Sequence, residues 1–348
     1  MGCHIMKQNQ AKNKKHFQYK LSSLHKQEGS FCALAINSKN DLLAVGSDSE
    51  IKIFNFKRGY LKQLQVISLR AYNLSLLIYC KKKPFLISAQ GASSLMIWNS
   101  SLISNPKFIC KMIGHSQQII SMTLDPILED LIISGSHDNN IKFWSIYNKW
   151  FCKQTISEHT KPVLSLIMNS QGNQLISCSQ DKQIFIIDRN NQTQWLIKQK
   201  ILLPTYGYRL SYITDSIFIF LPNSYYDGTH LYIFKINDLI KQYQKLCQIP
   251  IQGKNQYCYY YFPLLFIQSK NILLIKNGCY VNLLQIIPSM SQNNFIYQLE
   301  QTIQFQNKYI YGTLTDDGEF LIIWDEESEQ IQIRKLNIIK KHCLYSNE

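Results

Sequence analysis

An imidazole, a hydroxyl and a carboxylate at His115, Ser134 and Asp138 are the groups with which many hydrolases activate a serine, and the same three return as His159, Ser177 and Asp181. Acyl-transfer chemistry asks for more than these identities. The hydroxyl must be exposed beside its base, and donors must be in place for the developing oxyanion. Both serines instead lie in apolar runs, LIISGS and QLISCS, which read as strands. No residue is therefore assigned a catalytic role.

Other reactive groups point the same way. Ten cysteines are scattered without any CxxC or repeated metal-ligand spacing, and Cys32, Cys80, Cys178 and Cys258 stand inside apolar runs where a thiol behaves as a small hydrophobe. No disulfide, metal or cofactor is expected. Gly2-Cys3 behind Met1 has the form of a double-acylation signal, with Lys7, Lys12, Lys14 and Lys15 available to anionic lipid, although Met6 stands where Ser or Thr is usual. Membrane association is expected only if Gly2 and Cys3 are modified. The formal charge of +14 raises nucleic acid as a partner. Its lysines are spread among Gln, Asn and Ile, with clusters at Lys12, Lys14 and Lys15, at 81–83 and at Lys340 and Lys341. That distribution describes solvated loops and termini, and no specific nucleic acid is expected.

The elements that would hold these residues are short. With 348 residues, 45% hydrophobic and 17% charged, the chain can bury a large core, and no apolar run approaches the roughly 20 residues of a membrane-spanning helix. No apolar stretch follows the first residues as a secretory signal would, so a cytoplasmic location is expected. The runs are four to eight residues long, rich in β-branched and aromatic side chains, and separated by polar turns. One short stretch at 238–244 has helical spacing.

A long-period repeat organises the runs. GHSQQIISMTLDPILEDLIISGSHDNNIKFWSI, from Gly114, and EHTKPVLSLIMNSQGNQLISCSQDKQIFIIDR, from Glu158, superpose His115 on His159, Ser134 on Ser177, Asp138 on Asp181 and Trp144 on Ile187. Segments from Ala33 and Leu74 repeat the strand and turn order, with Phe54 and Trp98 in the aromatic slot. The period falls within the ~40–45 residues of a four-stranded blade. Strand-like runs at 209–214, 216–221, 230–236, 257–262, 271–276 and 280–287 continue the period without its motifs.

The unit from Gly114 resembles the WD repeat, with Gly114-His115 as its GH pair and Trp144 in the tryptophan slot, where Ser145 replaces the aspartate. The resemblance is clearest over 110–190 and degenerate elsewhere. It implies a structural network of His115, Ser134, Asp138 and Trp144, repeated by His159, Ser177 and Asp181 without its tryptophan. The literal Trp324-Asp325 falls in the strand-b slot and is not the motif. The fold implied is all-β: a single seven-bladed propeller of four-stranded antiparallel blades over 17–336, between a basic segment 1–16 and a tail 337–348. Residues 17–24 would complete the last blade and remove an open edge.

Such a platform is expected to bind other proteins or peptides as a scaffold, without catalysis, and as part of a larger assembly. The contact positions expected are Gln117, His137, Lys161 and Gln180, on the loop entering strand a and just before the tight-turn aspartate. The alternatives are an acylated adaptor at a membrane and, behind it, a propeller-based enzyme.

Overall fold

The computed structural model describes residues 14–341 apart from 28, 30, 48, 70–73, 91–92, 102–107, 146–149, 224–228, 254–261 and 289–294. Gly2, Cys3 and Cys258 lie outside the described residues. Among the described residues, 28 strands form seven four-stranded sheets, and there is no helix. Each sheet is an antiparallel meander, here lettered a to d from the inner strand outward. The third blade holds Ile119–Leu124, Leu131–Ser136, Ile141–Ser145 and Phe151–Ile156. The fourth holds Val163–Met168, Gln174–Ser179, Gln183–Arg189 and Trp195–Leu202.

Side chains alternate across each strand, so every blade has two apolar faces, and each face needs a neighbour. The hydrophobic clusters lie between blades. Ile133 and Phe143 of the third blade meet Leu175 and Phe185 of the fourth, and Phe31 and Val45 of the first meet Ile322 and Trp324 of the last. Burying one such Leu, Ile or Phe is worth ~1.5–3 kcal/mol, and no blade can gain it alone.

The chain ends close the ring. Lys14–Lys26 pairs antiparallel with Gln330–Lys341 and becomes the outer strand of the last blade, whose inner strands are Ile310–Leu314 and Phe320–Asp325. Phe17 and Tyr19 are buried there, and the Tyr19 hydroxyl donates to the Gly318 carbonyl at 2.8 Å. Both strands are longer than the sequence implied, because each supplies the partner of the other from Lys14↔Lys341 to Lys26↔Gln330. Pairing thus extends beyond the expected boundaries at 16 and 336. Trp324-Asp325 ends strand b, as the repeat phase required.

One local expectation fails. Residues 238–244 are a turn and the start of strand Gln242–Pro250, because the Asn237 side chain accepts the Leu239 and Ile240 amides and Lys241 turns the chain at φ 53°. Most of the run at 257–262 lies outside the described residues, and the inner strand of the sixth blade is Leu265–Ile267.

A regular clasp joins the outer strands. At three of the places where strand d skips a residue against strand c, a glutamine side chain reaches strand d of the next blade. Gln154 donates to the Trp195 carbonyl (2.6 Å) and accepts from its amide (2.9 Å). Gln199 does the same to Tyr243 (2.8 and 2.8 Å), and Gln301 to Tyr19 (3.1 and 2.7 Å). At the seam between last and first blades, Ser23 donates to the Gly59 carbonyl.

Two outcomes follow from closure. Removing residues 1–25 should leave insoluble protein, whereas removing 1–12 should leave solubility and melting temperature unchanged. Gln199→Ala strands both backbone groups of Tyr243 and should cost about 1–3 kcal/mol in denaturant unfolding.

Candidate functional site

In the meander, strand a runs toward one face and strand b returns, so d–a loops and b–c turns share one face, and a–b and c–d turns the other. His115 enters the third blade on a d–a loop and Asp138 sits on the b–c turn of the same face. Between them, Ser134 on strand b and Trp144 on strand c point into the sheet interface and are buried.

The side chains form one chain of hydrogen bonds. His115 Nδ1 lies 2.8 Å from Asp138 and Nε2 lies 2.7 Å from Ser134 Oγ, which also accepts from Trp144 Nε1 at 2.8 Å. With a carboxylate at Nδ1 the ring proton belongs there, Nε2 accepts from Ser134, and every polar atom is satisfied. Burial pushes the His115 pKa below the usual imidazole value, against the pull of Asp138, so the ring is neutral. Burial raises the Asp138 carboxyl, but the Ser116 amide, the imidazole and the Asn140 amide outweigh it, and its pKa falls below the ordinary value. Gly114 is required at its place because a Cβ would meet the Trp144 ring at 2.8 Å.

The fourth blade repeats the strut without its end. His159 bridges Asp181 (2.8 Å) and Ser177 (3.0 Å), and its ring stacks on Phe185 at 3.8 Å. Ile187 supplies no indole. The second blade keeps the other half: Trp98 Nε1 donates to Ser88 Oγ at 2.9 Å, and Gln90 stands in the histidine's place but donates to that oxygen, at 2.7 Å, where the histidine accepts. Ser88 and Gln90 were missed because no histidine flags that blade.

This geometry cannot run a hydrolase cycle. Ser134 and Ser177 are both 0% exposed, so no substrate reaches either oxygen. Among the described residues there is no group of His, Cys, Asp or Glu arranged to hold a metal. The described cysteines are thiols and not disulfides, and burial drives Cys80 up to about 12.

The four expected contact residues lie together on the struts' face. Ser136 Oγ donates to the Gln117 carbonyl (3.0 Å) and Ser179 Oγ to that of Lys161 (2.8 Å), while the same serines cap the Asp138 and Asp181 amides. The His137 amide bonds Gln118 and that of Gln180 bonds Pro162, both at 2.9 Å. Gln117 and Lys161 are exposed, and His137 and Gln180 half-buried. Ser136 and Ser179 escaped the sequence reading, though each stands two residues after a strut serine.

The opposite face is occupied with itself. The residue after strand a, Asn37, Asp125, Asn169 or Thr315, caps its own a–b turn. Glu129 accepts the amides of Lys81, Lys82 and Lys83 from the neighbouring blade, and Lys81 pairs with Asp316 at 2.8 Å. Ser170 bonds Asp215. The cluster at 81–83, expected as a solvated loop, exposes Lys81 and Lys82 and through its amides also ties two blades.

A seven-bladed β-propeller with His-Ser-Asp struts is the class these observations define. The model of the WD domain, G-beta repeat, matches residues 18–55, 106–145 and 150–188. Each match spans the outer strand of one blade, wholly or in part, and ends in strand c of the next, an offset that makes an N-terminal outer strand necessary for closure. Three WD40 repeats thus lie within a seven-bladed β-propeller. It is 31% identical over 75 residues to human pre-mRNA-processing factor 17, covering 22% of this chain and 13% of that protein. It is 34% identical over 77 residues to DDB1- and CUL4-associated factor 13 of Dictyostelium discoideum, covering 22% and 17%. The chain thus spans a small fraction of the curated relatives it matches. A chain in a crystal structure of the mitotic checkpoint complex superposes with TM-score 0.71 at 14% identity, over 91% of this chain and 94% of that one, which establishes the fold.

Trp144→Ala should cost about 3–5 kcal/mol by denaturant unfolding, since it empties a core position and removes the indole donor to Ser134. The struts also set an acid limit. Unfolding frees His115 to bind a proton at its ordinary pKa, so its contribution is present above that value and is lost as pH falls below it. Asp138 acts in the same direction at lower pH. The melting temperature should therefore fall from pH 7 to pH 5, and His115→Asn should flatten that slope.

Proposed function

We propose that this chain is a non-enzymatic interaction scaffold that binds protein or peptide partners on the face carrying the d–a loops and b–c turns. The observation that carries the reading is the contrast between the faces. On one, turn caps and ties such as Glu129 to residues 81–83 consume the polar groups. On the other, buried serines fix the backbone under Gln117, His137, Lys161 and Gln180, and the side chains of Gln117 and Lys161 stand exposed. Rigid presentation of that kind lowers the entropy lost when a partner docks. One matched relative is named for its association with DDB1 and CUL4, and another for pre-mRNA processing, which accords with work inside assemblies.

The test is affinity capture with quantitative mass spectrometry on the wild type and on a His137→Glu, Lys161→Glu double variant. Loss of the principal co-purifying protein at unchanged melting temperature is expected. Retention of that protein, with its loss on reversing Lys81 and Lys82 instead, would move the site to the opposite face.

A further inference from the structure

The outer strand of the fourth blade, Trp195–Leu202, is a sheet edge, and beside it the third and fourth blades enclose a cleft of about 480 Å³. Thr155, Ile156, Ser157 and Glu158 form one wall, and residues 195–200 the other. At the entrance, the Gln154 amide already sits on that edge, donating to the Trp195 carbonyl and accepting from its amide. A primary amide in that pose presents the donor and acceptor that one peptide unit of an added strand would present. Past Trp195 the edge continues for the rest of the strand with no further sheet neighbour among the described residues. Leu196 is 43% exposed and Leu202 79%, so apolar surface accompanies the open backbone.

The charge around the cleft is mainly positive. Lys198 and Lys200 project from the edge strand, Lys142 reaches Thr155 at 3.0 Å and Lys153 reaches Thr193 at 2.9 Å. The carboxylate on the lining is Glu158, paired with Lys200. Edge lysines repel a second copy of the same strand. They attract an extended chain of opposite charge.

We propose that this cleft docks an extended acidic segment of a partner protein as a fifth strand on Trp195–Leu202, continuing the pairing that Gln154 begins. Backbone bonds supply the affinity, and alternate acidic and apolar side chains meet the lysines and Leu196. The site lies on the side of the ring and is separate from the turn face proposed above.

The probe is a fluorescein-labelled, end-capped hexapeptide of alternating Glu and Val, titrated by fluorescence anisotropy, with amide hydrogen exchange read at Ile197. Saturable binding is expected, with slower exchange at Ile197. Lys198→Glu with Lys200→Glu should weaken it by at least about tenfold and should transfer preference to the alternating Lys and Val peptide. N-methylation of alternate peptide nitrogens should abolish binding, and the His137→Glu, Lys161→Glu change should leave it intact. The proposal is overturned by absence of saturable binding, by equal affinity of the N-methylated peptide, or by indifference to the lysine reversal in a variant that melts like the wild type.

Discussion

Every blade of this protein has two apolar faces and no way to bury both alone, and the rest of the structure depends on that constraint. Ile133 and Phe143 have a partner surface only because the fourth blade brings Leu175 and Phe185 against them. The same dependence runs round the ring until the last blade must find the first, where Phe31 meets Trp324 edge-on at 5.5 Å. An open arc would leave two such faces in water, a loss far larger than any hydrogen bond supplies. The long pairing of Lys14–Lys26 with Gln330–Lys341 is the form the constraint takes at the chain ends.

Within that frame the polar groups have structural work. A buried imidazole between a carboxylate and a hydroxyl suggests catalysis when seen as a list of residues. Seen in place, His115 ties a loop, a turn and two strands of one blade, and Ser134 spends its hydrogen-bonding capacity on His115 and Trp144. The glutamine clasps do for outer strands what the struts do for the inner ones. Both devices join backbone segments that lie far from each other along the chain, and so make the blades rigid enough to present their turns.

Much of this was legible in the sequence because repetition exposes phase. Two copies carrying His, Ser and Asp at matched positions fixed the blade, and the unpaired strand at 17–24 pointed to closure. The rest was silent for identifiable reasons. Gln154, Gln199 and Gln301 act through bulges, whose position depends on strand register and not on residue type. Glu129 belongs to one blade but caps the amides of 81–83 in another, a relation that no local pattern encodes. Residues 238–244 looked helical because spacing alone cannot weigh a tight turn in which Asn237 accepts two amides. Gln90 replaces a histidine and so hid the half-strut of the second blade.

Native-state hydrogen exchange tests the closed ring most directly, by comparing amides of the closing strand at 17–24 with those of Leu131–Ser136 in the third blade. If the ring is one cooperative unit, both sets exchange only through global unfolding, with the same free energy and the same denaturant dependence. Closing-strand amides that exchange through a local opening of small denaturant dependence, while Leu131–Ser136 stays protected, would contradict the account.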